Sequence, residues 1–218
     1  MKELTEATPK ALLEVAGKPI LQYAFDALPD SVDEVIVVVG YMGAAIQQRF
    51  GGEYKGKRIM YVEQGVLDGT AGALWRAKDI LKDRFVVMMA DDIYSREDIE
   101  SCIATENWVM LVEKLEHMQS GGCVRLDAHG NIKSIDEGDH KGNEGIINTN
   151  LFVLDTRLFD FPLIPKAVGS EEFGLPQTIL PAAKESGVPF TTVKATSWIQ
   201  IVVPEDLQKA EEILAARG

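Results

Sequence analysis

The segment EVIVVVG at residues 34–40 decides the fold class. It is an unbroken β-branched run closed by a glycine, the pattern of a strand buried on both faces within a parallel sheet. Its neighbours agree. Residues 10–28 carry apolar positions at helical spacing from Pro19 onward, with the proline suited to a first turn. Beyond Gly40 the pattern predicts a helix over 42–50, a strand in RIMYVEQ (58–64), a glycine-containing loop and a helix over 70–82. A second buried strand, FVVMMADD (85–92), ends on two acids before the helical stretch REDIESCIA. Alternation of this kind specifies an α/β fold, a mostly parallel mixed sheet flanked by helices.

From about residue 107 the rhythm changes. WVMLVEKL, GGCVRLDAHGNIKSIDE and INTNLFVLD read as strands, with a D-A-H-G-N turn inside the second, and together form a β-rich insertion. Residues 155–187 return to helix and loop, TTVKATSWIQIVV is strand-like, and PEDLQKAEEILAAR is a terminal helix with Pro204 at its start. No repeat or low-complexity linker divides the chain, so one domain over 1–218 is expected.

Composition narrows the function. A net charge of −12 and a pI near 4.7 repel polyanions, which excludes nucleic acid as a partner while leaving room for a small phosphorylated ligand held by a few cations. The longest apolar runs fall far short of the roughly 20 residues of a spanning helix, so no membrane association is expected. The N-terminus carries no apolar leader, which points to the cytoplasm. Cys102 and Cys123 read as reduced, buried thiols. His117, His129 and His140 lack metal-ligand spacing and read as surface residues.

In open α/β sheets, ligands bind at the carboxyl ends of parallel strands. Polar residues follow apolar runs at two such places. Gln64 precedes Gly69-Thr70-Ala71-Gly72, where small residues admit a ligand to the backbone and an amide can pair with a base edge. Read alone, that turn is simply a helix N-terminus. Asp91 and Asp92 end a strand; one carboxylate there can hold Mg²⁺, and the other suits an N-cap of the next helix. A third candidate is Lys10, placed by the Thr8-Pro9 turn to contact a phosphate as a point charge.

In order, LTEATPKALLEVAGKPIL, VIVVVGY, Gln64 with GTAGAL, ADDIY, DAHGN with IDEG, INTNLFVLD, EEFGLP and WIQIVVPEDLQKAEEIL resemble the sugar-1-phosphate nucleotidyltransferases. That family includes glucose-1-phosphate thymidylyl- and uridylyltransferases, mannose-1-phosphate guanylyltransferases and N-acetylglucosamine-1-phosphate uridylyltransferases. The resemblance covers essentially the whole chain. It implies a Rossmann-like nucleotide-diphospho-sugar transferase fold and a Mg²⁺-dependent reaction of a nucleoside triphosphate with a sugar-1-phosphate, giving a nucleotide sugar and pyrophosphate. By the same resemblance Lys10 contacts phosphate, Asp91 is the first metal ligand, and Gln64, Gly69 and Thr70 hold the nucleotide. Glu137, Asn148 and Glu172 take the sugar side, where losing a hydrogen bond leaves a buried polar group unpaired and so gives specificity. Two alternatives stay open: a catalytically retired relative acting as a sensor or scaffold, and a cytidylyltransferase with a non-sugar acceptor. A homo-oligomer is compatible with either.

The chain also departs from the family pattern. The second metal aspartate is Gln200, whose neutral amide is a weaker Mg²⁺ ligand than a carboxylate. The lysine of the family's E-K-P stretch is Gly138, and the glycine before the metal aspartate is Ala90. The family's G-x-G-T-R loop is not found; Met1-Lys2-Glu3-Leu4-Thr5 matches its tail, so about fifteen residues carrying a central strand and that loop are expected to be missing upstream. Without that strand its neighbours have unpaired backbone groups, and a strand from elsewhere in the chain, a partner subunit or a loosened sheet is expected to compensate.

Overall fold

Ala16 and Gly17 both adopt positive φ, 50° and 73°, the requirement of a two-residue type I′ hairpin. They join β1 (Glu14–Val15) to β2 (Lys18–Pro19) directly after a 3-10 turn over Lys10–Leu12. The computed structural model describes Thr5 and residues 8–216; the Met1–Leu4 part of the loop-tail match lies outside the described residues. There follow α1 (Ile20–Ala27), β3 (Glu34–Val39), α2 (Gly43–Phe50), β4 (Glu53–Tyr54), β5 (Lys57–Glu63), α3 (Gly69–Arg76), β6 (Arg84–Val87), β7 (Ile93–Tyr94) and α4 (Arg96–Ile103). The rest comprises β8 (Trp108–Leu126), β9 (Ile132–Asp155), a 3-10 turn (Thr156–Asp160), α5 (Leu175–Ser186), β10 (Phe190–Lys194), β11 (Trp198–Ile199) and α6 (Pro204–Ala215). Among the described residues no helix is long and apolar enough to cross a membrane.

The chain divides into two compact units, one of residues 1–63, 89–99 and 197–218, the other of 64–88 and 100–196. In the first, β3 and β5 run parallel in register from Glu34↔Arg58 to Val39↔Glu63, and β4 adds antiparallel to β5. The run EVIVVV thus forms the expected strand. Its residues are only partly covered, with Val37 and Val39 buried, because among the described residues β3 pairs on one side alone. A short β7–β11 ribbon and the buried Val15, Ile20, Ile93, Ile199, Ile201 and Ala210 complete this unit's core.

The second unit is built on a sheet of order β10-β8-β9-β6. β10 is parallel to β8, and β9 runs antiparallel to both β8 and β6. The β-rich stretch after residue 107 therefore supplies the two central strands, and Trp108 to Val112 are buried without interruption as a central strand requires. Trp108 Nε1 donates to Asp155 Oδ2 at 2.8 Å, which satisfies the one polar atom of a ring 1% exposed. β6 is the outer strand of this sheet among the described residues, so no replacement for a central strand is found beside it or beside β3.

Two elements stop earlier than their sequence patterns suggest. α3 ends at Arg76 rather than near 82, where its ladder loosens into turns with Ile80 N donating to Ala77 O. β6 ends at Val87, and the chain turns through residues 90–92, so both acids sit in a turn. The N-cap of α4 is Ser95, whose Oγ accepts from Asp98 N at 3.1 Å, and not Asp91 or Asp92. Cys102 and Cys123 are buried and free.

Candidate active site

In the first unit, Pro9 starts the 3-10 turn with φ −57°, and Leu12 N and Leu13 N donate to Pro9 O and Lys10 O. That turn aims Lys10 at Asp91: Nζ lies 2.5 Å from Oδ2, with the side chains 27% and 36% exposed. The adjacent carboxylate points elsewhere. Asp92 is 4% exposed, accepts from Trp198 Nε1 at 3.1 Å and Ile201 N at 3.4 Å, and is bonded to the Tyr94 phenol. It thereby holds the Trp198 ring and the Ile201 backbone, which flank Gln200, whose side chain is exposed.

Burial first, and then the charge of Asp91, push the Asp92 carboxyl up to about 7. An unfolded aspartate releases its proton near pH 4, so between pH 4 and 7 the folded state holds a proton that the unfolded state has lost. Stability from this group is therefore greatest at the acid end and falls as pH rises through 7, by as much as about 4 kcal/mol. Urea denaturation of wild type and Asp92→Asn in metal-free buffer should show the wild type losing ground to the variant between pH 5 and pH 8. Parallel pH profiles for the two proteins would refute the assignment.

The donor set bears on a metal. Asp91 offers a carboxylate already neutralised by Lys10, Asp92 is turned inward, and Gln200 is an uncharged amide. Among the described residues no cluster of three or more histidine, cysteine, aspartate or glutamate side chains could cage an ion. Mg²⁺ is commonly held by one or two carboxylates together with substrate phosphates, and Asp91 fits that arrangement but not a site made by protein alone.

The second unit holds a cavity of about 440 Å³. Gln64, Gly69, Thr70, Glu137 and Glu172 all line it, so five of the residues singled out from sequence meet there. Gly69 opens α3 with φ +93°, and a Cβ on it would lie 2.4 Å from Phe173 O, so only glycine fits. Phe173 N donates to Asp68 O, Ala71 N to Phe173 O and Leu175 N to Thr70 Oγ1, which fastens the glycine turn to the segment carrying Glu172.

Gln64 Nε2 donates to Asp68 Oδ1 at 2.7 Å and to Gly69 O at 3.2 Å. A carbonyl only accepts, so this amide is oriented unambiguously and both its hydrogens are used, leaving Oε1 as an acceptor. Asp68 is held in turn by Arg76 at 2.9 Å. Sequence reading passed over Asp68, Arg76, Lys166 and Asn150. Lys166 pairs with Glu172 at 3.5 Å, and both line the cavity. Asn148 lies behind the wall, 4% exposed, while Asn150 lines it. The signal for Asn150 was an asparagine two residues after another in a strand, the residue type that best tolerates left-handed backbone.

A family model described as "Nucleotidyl transferase" matches residues 1–214. The chain belongs to the nucleotidyl transferase family. Among curated relatives, this nucleotidyl transferase is 31% identical to the bifunctional protein GlmU of Methanocaldococcus jannaschii over 98% of its own length and 51% of that protein's. It is 29% identical to the UTP–glucose-1-phosphate uridylyltransferase AglF of Haloferax volcanii, over 98% and 91%. The chain thus spans about half of GlmU and nearly all of AglF. A Bacillus anthracis protein crystallised with sucrose has the same fold, with a TM-score of 0.82 at 22% identity over 98% of this chain and 89% of that one.

Proposed function

We propose that this nucleotidyl transferase moves a nucleoside monophosphate from a nucleoside triphosphate to a sugar-1-phosphate. An oxygen of the sugar phosphate attacks the α-phosphorus, the bond from that phosphorus to the bridging β-phosphate oxygen breaks, and pyrophosphate leaves. The observation that carries this reading is the single cavity lined by both the Gln64–Gly69–Thr70 turn and the carboxylates of Glu137 and Glu172. Carboxylates accept from hydroxyls, so Glu137 and the Lys166-paired Glu172 suit the hydroxyls of a sugar. AglF, by its name, acts on UTP and glucose-1-phosphate, which supports the same class of substrates here.

In this reading Lys10 places a fixed positive charge for a phosphate oxygen, and Asp91 holds Lys10 in place until phosphate competes for it. A Mg²⁺ ion held by Asp91 together with triphosphate oxygens would offset charge on the transferring phosphoryl group. Gln200 would contribute at most a neutral oxygen. The two units act as one nucleotidyltransferase domain.

The unspent Oε1 of Gln64 favours a base whose ring nitrogen carries hydrogen: uracil, thymine or guanine. Cytosine can meet that oxygen only through its exocyclic N4–H2, with the N3 lone pair set beside it, so a cytidylyltransferase is disfavoured. Pyrophosphate release with Mg²⁺ and a panel of sugar-1-phosphates should run at least about tenfold faster with UTP, dTTP or GTP than with CTP. Binding of a nucleotide sugar without release under any combination would refute the transferase reading.

A further inference from the structure

The strand β9 is interrupted where it passes the cavity. Met110 pairs with Phe152 and Val112 with Asn148, so one residue of β8 faces three of β9, and the bulge holds Asn150 in the left-handed region with φ +59°. Within the bulge Asn150 N donates to Asn148 Oδ1 at 2.7 Å, and Asn148 Nδ2 donates to Asn150 Oδ1 at 2.8 Å. A backbone N–H can only donate, so the oxygen of the Asn148 amide must face it. Asn148 then presents its nitrogen to Asn150, which must present its oxygen in return. The Asn150 Nδ2 is what is left over, and among the described residues no protein group accepts from it.

The Asn148 amide thus spends one hydrogen and one lone pair on Asn150 and is 4% exposed, whereas Asn150 lines the cavity with both Nδ2 hydrogens uncommitted among the described residues. Resting on the function proposed above, we infer that Asn150 is the amide that reads the sugar, donating to a hydroxyl oxygen, and that Asn148 is a positioning residue which sets its orientation. A sugar hydroxyl both donates and accepts. Glu137 and Glu172 supply acceptors in the same cavity, and Asn150 supplies the complementary uncharged donor.

Two variants isolate that donor. Asn150→Asp keeps the oxygen that receives from Asn148 and replaces only Nδ2, and Asn150→Gly keeps the left-handed backbone while removing the amide without adding charge. Calorimetric titration should use UDP-glucose, UDP-N-acetylglucosamine, dTDP-glucose and GDP-mannose, each beside its nucleoside diphosphate. The nucleotide sugar that wild type prefers should bind both variants about tenfold more weakly or worse, with Asn150→Gly binding the diphosphate unchanged. Wild-type affinity for the nucleotide sugar in both variants, or an equal loss for diphosphate and nucleotide sugar in Asn150→Gly, would overturn the inference alone. Failure of wild type to bind any of the four would overturn the proposed function, and this inference with it.

Discussion

Replacing Asp91 by asparagine should slow pyrophosphate release by about a hundredfold or more, while the melting temperature moves by no more than about 4 °C. The asymmetry follows from where the residue sits. Asp91 and Lys10 are roughly a third exposed, and an ion pair of that exposure contributes no more than about 1 kcal/mol to folding. Its carboxylate is also the one acid in the 90–92 turn that is not committed to packing, since Asp92 is bonded to Trp198 and Ile201. The variant leaves Lys10 without an anchor and removes the negative charge suited to a cation beside triphosphate. Steady-state rates and a thermal melt on the same preparation decide the matter; undiminished turnover would remove Asp91 from the machinery.

Gly69→Ala should produce the opposite profile, a large loss of stability. Two penalties add. A φ of +93° strains any residue with a Cβ, and that Cβ would sit 2.4 Å from Phe173 O and 2.8 Å from Phe173 N, backbone atoms that cannot rotate away. Together these should cost about 3 kcal/mol or more and lower the melting temperature by about 6–12 °C. Gly52→Ala is the control, because nothing lies within 4 Å of its built Cβ and its φ is not left-handed. A melting temperature for Gly69→Ala that matches the control would show that the contact with Phe173 yields readily.

Much of the architecture was legible because it depends on local pattern. EVIVVVG forms β3, GTAGAL opens α3, and the proline-led PEDLQKAEEIL forms α6, each from signals contained within a dozen residues. The candidate site was legible in so far as Gln64, Gly69 and Thr70, which flank one glycine turn, come together at one cavity. It was opaque where a side chain's duty is set by a distant partner. Asp92 looked like a cap, but its partners Trp198 and Ile201 lie more than 100 positions on. Asn148 reads from the pattern as a sugar ligand; the structure adds that its amide bonds Asn150 inside the bulge of β9, and a bulge leaves little trace in composition. The early end of β6 has the same origin: apolar character continues through Met88 and Met89 after the hydrogen-bonded ladder has stopped.

The fastening of Asp68, Thr70 and Ala71 to Phe173 and Leu175 has a bearing on how selectivity can change over evolutionary time. The Gly69 turn and the strip carrying Glu172 share two backbone hydrogen bonds and a third from Leu175 N to the Thr70 hydroxyl, so neither can be remodelled as an independent module. A substitution that moves the chain near Phe173 also displaces the Gly69 turn. New specificities are then easiest to reach through exchanges of side chains on a preserved backbone, at positions such as Glu137, Asn150 and Lys166, with the frame beneath them inherited unchanged.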